Sequence, residues 1–281
     1  MPRSPRVTRA AQPAHYIESF AANRQTNHSG SKLSVAASRC PSSVPCHRGL
    51  LILKLAIDHL SCRRAGRLLI DDLTLTIAGG EALVVKGPNG AGKSTLLATL
   101  AGRLKPAGGT IRLVGDDATA GRGGEEDAPL AERAVLVGHR DGLKVALTAA
   151  ENLVFAAAML GAPATPAEAA AALDVFGLAH LADIPVGYLS AGQRRRVALT
   201  RLVLARFVPV DRPVWLLDEP TSALDAAAQE DLAHLMRQHL AGGGLIVAAT
   251  HLPLGLEGAR SLTLGSQAGY HDAADGWEFG A

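Results

Sequence analysis

Cysteine is scarce in this chain of 281 residues, and the three present, Cys40, Cys46 and Cys62, are odd in number and scattered. They offer neither a disulfide framework nor the paired spacing of a zinc site, and they fit reducing, cytoplasmic surroundings. Long hydrophobic runs are missing too. No stretch approaches the about 18 uninterrupted apolar residues of a membrane span, so any membrane role is expected to pass through a partner. Strong charge of either sign is also lacking. The formal net charge is +2, but residues 1–49 hold seven Lys/Arg against Glu18 alone, which leaves −4 for the other 232 residues. The folded part therefore gives nucleic acid no support as a partner. What the chain does have is apolar content, 48% of its residues, enough for one large core or two modest ones.

Residues 1–49 are rich in Ser, Ala, Arg and Pro without a sustained apolar period. They are expected to be disordered, or to reflect a start site placed too far upstream, with a transit peptide as the rival reading. From Leu51 the pattern changes. Leu51 to Ile57 and Leu68 to Ile77 read as strands around the turn Arg64-Ala65-Gly66-Arg67, and Gly79-Gly80 turns the chain into the apolar run Ala82 to Val85. A strand is expected at Thr110 to Val114, a polar Gly-rich loop at Gly115 to Pro129, and a short buried strand at Ala134 to Val137. Two capping boxes, Thr148-Ala-Ala-Glu151 and Thr165-Pro-Ala-Glu168, open helices in a helical insert spanning about 148–190. A helix from Arg194, a strand Val214 to Leu217, a helix Ala226 to about Leu240 and a strand Leu245 to Ala249 complete an α/β pattern. Residues 265–281 are expected to form a loose tail.

The stretch Gly87-Pro88-Asn89-Gly90-Ala91-Gly92-Lys93-Ser94 fits the phosphate-loop pattern G-x-x-x-x-G-K-[ST] between a strand and a helix. Its glycines let successive backbone N–H groups point at phosphate oxygens, and the following helix, which begins with Thr95, adds the positive end of its dipole. Lys93 is placed for the terminal phosphates and Ser94 for Mg²⁺. Asp218, ending an apolar strand, is the second candidate to orient the Mg²⁺ shell, and Glu219 the group that polarises an attacking water.

The order GPNGAGKS, LSAGQ at Leu189 to Gln193, WLLDEP at Trp215 to Pro220 and then His251 resembles the ATP-binding subunits of ABC transporters, from about Leu53 to Leu264. The resemblance implies a phosphate-loop NTPase fold, with an antiparallel β subdomain and a helical subdomain, over residues 50–264. It also implies a Mg-ATP hydrolase working as a head-to-tail pair of copies, each ATP lying between the phosphate loop of one and Ser190, Gly192 and Gln193 of the other. Asp225 would then belong to the segment linking the two sites, and His251 would contact the γ-phosphate and orient Glu219.

Two positions depart from that family's habit. His139 stands where a glutamine usually touches Mg²⁺ and senses the membrane subunit, and Arg64 stands where an aromatic usually stacks on adenine. With Gly142-Leu143-Lys144, Asp183-Ile184-Pro185-Val186 and Thr250-His251-x-Pro253-Leu254, these features resemble the ABC subunits that serve c-type cytochrome maturation. That subfamily resemblance implies haem export or haem handling, an integral membrane permease of the CcmB type, and a peripheral position on the cytoplasmic face of the bacterial inner membrane. The alternatives are an ATPase subunit of another small exporter, or a soluble ABC ATPase acting on ribosomes or DNA. The absence of heptads and of a basic patch in the folded part counts against the last.

Overall fold

The computed structural model describes residues 53–115, 129–161, 163–205 and 212–265. The expectations for the N-terminal extension, the C-terminal tail and nearly all of the Gly115–Pro129 loop therefore fall outside the described residues.

Strand β1 (Lys54–Arg64) and β2 (Arg67–Ala78) form a hairpin longer than the sequence suggested, closed by Ala65 at φ 49° and Gly66 at φ 80°. Two left-handed residues in a two-residue loop match the twist of the flanking strands. The strands run on because each carries a bulge. Buried Leu55 and Ile57 alternate until His59 (φ 52°), after which Leu60 and Cys62 face inward. Opposite, Asp72 (φ 54°) shifts β2 so that both Ile70 and Leu73 stay buried. One extra residue on each strand restores the inward face that a period of two would have lost. Strand β4 (Gly108–Val114) pairs with the other edge of β1, giving a three-stranded antiparallel sheet in the order β2-β1-β4. Burial pushes the Cys62 thiol up, with a hydrogen bond from Thr99 acting the other way, so Cys62 is a neutral core residue.

The second sheet is parallel, in the order β5-β6-β7-β3-β8, with β3 (Ala82–Lys86), β5 (Ala134–Val137), β6 (Val214–Asp218), β7 (Leu245–Ala249) and β8 (Arg260–Thr263). Every residue of β6 and β7 is buried, as expected of strands covered on both faces. Trp215, Leu217, Ile246 and Ala248 face one core, with helices α3 (Ala149–Met159), α4 (Pro166–Asp174), α5 (Ala191–Ala205) and α6 (Ala226–Ala241). Leu216, Val247 and Ala249 face the other, shared with the antiparallel sheet, α1 (Lys93–Leu100) and Leu130 of the one-turn helix α2 (Leu130–Arg133). Strand β8 was not anticipated. Its burial is intermittent, and it pairs at the edge through Leu83 with Arg260 and Val85 with Leu262.

Both capping boxes form as expected. Thr148 accepts from the Glu151 N–H while Glu151 accepts from the Thr148 N–H, and Thr165 and Glu168 do the same with Pro166 at the first helical position. The insert is tied down further by Asn152, which is buried. Its Oδ1 accepts from the Lys144 N–H at 2.7 Å, and its Nδ2 faces the carbonyls of Lys144 (3.0 Å), Leu147 (3.2 Å) and Thr148 (2.9 Å). One side chain thus holds the turn that enters α3. Asn152→Ala takes the acceptor from the Lys144 N–H and one donor from each of those carbonyls, which keep only a backbone donor; it is expected to lower stability by about 2 kcal/mol, against about 1 kcal/mol for Thr148→Ala, read from urea midpoints at constant slope.

Candidate functional site

Parallel pairing brings four strand ends to one edge of the sheet, and each is followed at once by polar chain: Gly87 after β3, Gly138-His139 after β5, Glu219 after β6 and Thr250-His251 after β7. A buried parallel sheet places its polar groups where the strands stop, so this edge carries the cleft.

The loop after β3 turns back under α1. Gly87 has φ 137°, and a Cβ there would lie 2.5 Å from the carbonyl oxygen of Leu264; Gly92 has φ 104° and rests against Leu69 and Ile70 of the hairpin. No side chain caps α1, whose N-cap is Gly92, so its first-turn amides stay available to an anion. The Lys93 ammonium folds over the loop and donates to the carbonyls of Gly87 (2.7 Å) and Pro88 (3.0 Å). A loop that opens an uncapped helix and carries a tethered cation suits a polyphosphate.

The cleft has a volume of about 790 Å³. Of the residues named from sequence, Asn89, Gly90, Gly92, Lys93, Ser94, Thr95, His139, Asp218, Glu219 and His251 line it. Gly87, Pro88 and Ala91 shape the loop from behind, Pro88 and Ala91 lying beside Gly265. Arg64 and Leu69 of the β1–β2 hairpin complete the wall beside the loop.

Glu219 is held on every side. Its φ of 47° is left-handed, a conformation costing a non-glycine residue about 1–2 kcal/mol, and its surroundings fix it there. The Glu219 N–H donates to the Ala249 carbonyl at 2.8 Å. One carboxylate oxygen is 3.0 Å from His251 Nδ1, and the other accepts from the Thr250 hydroxyl at 3.2 Å. The Thr250 hydroxyl in turn accepts from the Leu252 N–H at 3.0 Å. The Glu219 side chain is 18% exposed and that of His251 76%, so the acid sits in the cleft wall and the imidazole reaches outward. Thr250 is not among the site residues named from sequence. A hydroxyl just before the histidine at a strand end was the signal available.

The LSAGQ segment lies apart. Ser190 and Gln193 close a capping box at the start of α5: the Gln193 N–H donates to Ser190 Oγ at 3.2 Å and the Ser190 N–H to Gln193 Oε1 at 2.8 Å. Gly192 approaches the Ala223 carbonyl so closely that a Cβ would sit 2.9 Å from it. None of the three lines the cleft of its own chain among the described residues. Asp225 is likewise outside it, and its carboxylate caps α6 by accepting from the Ala228 N–H at 2.8 Å.

Comparison with known proteins is consistent with this arrangement. The ABC transporter domain family matches residues 70–222. The chain is 51% identical over 209 residues to the cytochrome c biogenesis ATP-binding export protein CcmA of Rhodopseudomonas palustris (strain BisB5), covering 74% of this chain and 96% of that protein. It is 45% identical over 215 residues to the protein of the same name from Chelativorans sp. (strain BNC1), covering 76% and 99%. Among solved structures, a dimeric ATP-binding cassette in a post-hydrolysis state bound to ADP and Pi superposes with a TM-score of 0.60 at 25% identity, covering 75% of this chain and 94% of that one.

Removing the tethered cation isolates its contribution. Lys93→Ala is expected to weaken binding of a fluorescent ATP analogue at least tenfold while leaving the thermal midpoint nearly unchanged, because the ammonium bonds only to loop carbonyls and the amide cradle stays intact. Unchanged affinity in the variant contradicts the assignment of the cleft.

Proposed function

The chain belongs to the ABC transporter family of ATP-binding proteins, with cytochrome c biogenesis proteins among its relatives, and we propose that it hydrolyses Mg-ATP to energise haem export or haem handling in the assembly of c-type cytochromes. The observation that carries this reading is the meeting of the phosphate loop, Asp218-Glu219, His251 and His139 in one cleft, in a chain about half identical to those relatives over nearly their whole length.

In this reading the amides of Gly90 to Ser94 and the Lys93 ammonium bind the phosphates. Ser94 and Asp218 both line the cleft, and Asp218 is only 8% exposed. A hydroxyl and a carboxylate are hard oxygen donors that suit Mg²⁺, and two of them are too few without substrate oxygens, the usual arrangement for that ion. When bound, Mg²⁺ neutralises phosphate charge. Glu219 orients and deprotonates the attacking water, with its carboxylate aimed by His251 and Thr250. The opposite face of the nucleotide is covered by the Ser190–Gly192 end of α5 from a second copy, whose first-turn amides form another anion site.

A membrane partner is supported by an apolar patch. Val145 (65% exposed), Phe155 (46%), Met159 (72%) and Tyr188 (84%) lie on the helical insert and the turns that flank it. The segment after His139 joins this patch directly, since the Gly187 N–H bonds the Val145 carbonyl and the Val186 N–H the Leu147 carbonyl, each at 2.9 Å. Lys144 sits 4.4 Å over the Phe155 ring. A surface of this kind fits an integral permease subunit of the CcmB type and peripheral attachment to the cytoplasmic face of the inner membrane. Among the described residues no helix is long and apolar enough to cross a membrane.

Glu219→Gln tests the reading. The amide keeps the shape of the acid but accepts a proton poorly, so the purified variant is expected to bind ATP, turn over at least a hundredfold more slowly, and elute as a dimer in ATP. In cells that carry only this variant, the chain should still copurify with its membrane subunit while covalently bound haem in c-type cytochromes disappears. Full turnover moves the base to another residue, and normal cytochromes remove the cellular role.

A further inference from the structure

Arg195 lies one turn into α5 and is 3% exposed, yet its guanidinium meets two other segments of the chain. One terminal nitrogen donates to the Gly138 carbonyl (2.9 Å) and to Asp141 Oδ1 (3.1 Å). The other donates to the carbonyls of Asp218 (2.9 Å) and Glu219 (2.7 Å). On one side it grips the segment that contains His139, and on the other the backbone of the residue pair at the end of β6. We propose that Arg195 is a positioning residue for ATP hydrolysis, fixing Glu219 against the His139 segment and joining both to the helix that begins with Ser190.

The physical case rests on what Glu219 needs. A left-handed glutamate stays in place only if its surroundings over-determine it. His251 and Thr250 hold its carboxylate and Ala249 accepts from its N–H, while its carbonyl is held by Arg195. The contact is charge-assisted, and the planar fork of a guanidinium can serve two strand ends at once, which a lysine ammonium cannot do in the same geometry. The other side of the fork is just as firmly set. Asp141 pairs with Arg195 through its side chain, and its carbonyl accepts from Arg201 of the same helix at 2.6 Å. A shift of residues 138–141 is thus carried through one buried cation to the backbone of the proposed base. A helix fed by a partner copy at its N-terminus and by the His139 segment at its second turn provides a rigid route between those inputs and the reacting edge.

The bland alternative is a buried arginine that merely staples the fold. The two separate in kinetics on the full chain, with Arg195→Lys, Arg195→Gln, Asp141→Asn and Glu219→Gln measured together for ATP affinity, thermal midpoint and kcat. The expected result is ATP affinity within threefold of the parent in all four, kcat lowered at least tenfold in Arg195→Gln, partial recovery in Arg195→Lys, and a smaller loss in Asp141→Asn. Combining Asp141→Asn with Arg195→Gln should cost little beyond Arg195→Gln alone, because both act through one guanidinium. An unchanged kcat in the Arg195 variants, or one that falls only in step with affinity or folded fraction, overturns the proposal. If Arg195→Gln does not fold, Arg195→Lys and Asp141→Asn decide by the same criterion. The inference rests on Glu219 as the base, and the Glu219→Gln arm keeps the two apart: full turnover there removes the base assignment, whereas slow Glu219→Gln with unaffected Arg195 variants removes only the positioning role.

Discussion

Parallel pairing of β5, β6, β7 and β3, buried on both faces, is the constraint on which the rest of the molecule depends. Apart from Asp218 at the very end of β6, the side chains of β6 and β7 are apolar on both sides, so those strands carry no chemistry along their length. All polar groups are displaced to the strand ends, and because the strands point the same way, those ends share one edge. The cleft follows from the sheet: the phosphate loop, Asp218-Glu219 and Thr250-His251 are neighbours because β3, β7 and β6 are neighbours.

Backbone strain falls in two places, the β1–β2 hairpin and the turn that follows β6. Outside glycine, left-handed residues among those described are His59, Ala65, Asp72, Glu219 and Ala223. Three of them shape the β1–β2 hairpin, which brings Leu69 against Gly92 and so sets the outer wall of the cleft. The other two belong to the cleft itself, Glu219 as its acid and Ala223 as the point where the start of α5 leans on the neighbouring loop. Side chains beyond the cleft hold these turns, chiefly Thr250 and Arg195. The proposed chemistry therefore leans on polar contacts made behind the cleft wall.

Much of this was legible in the sequence because it rests on local rules. Phosphate-loop glycines, capping boxes with Glu at the third helical position, and apolar runs ending in Asp218 or Thr250 all carry their meaning within a few residues. The paired bulges at His59 and Asp72 were not legible, since each makes sense only with the other strand alongside. Strand β8 was hidden for a related reason: it is short, half-exposed and stabilised by pairing with β3. Asp225, expected by resemblance in the segment linking two sites, also caps α6 through its carboxylate, a role the sequence did not single out. Arg195 sat in plain view among Arg194 and Arg196, but which of three consecutive arginines turns inward is decided by the rotation of α5 and by strand ends more than fifty and twenty residues away.

A single copy supplies the phosphate loop, the acid pair and His251, but the amide-rich start of α5 at Ser190 and Gly192 stays outside its own cleft among the described residues. Two copies are therefore needed to complete each other's sites under the proposed function, and mixing two defective chains tests this most directly. ATP turnover is measured for Lys93→Ala and Ser190→Arg separately and as an equimolar mixture. In a mixed pair one site has an intact loop facing an intact Ser190, so the mixture should recover up to about a quarter of the parent rate with random pairing, while each chain alone stays near zero. A mixture no more active than its two components, or full activity in Ser190→Arg alone, contradicts a site shared between copies.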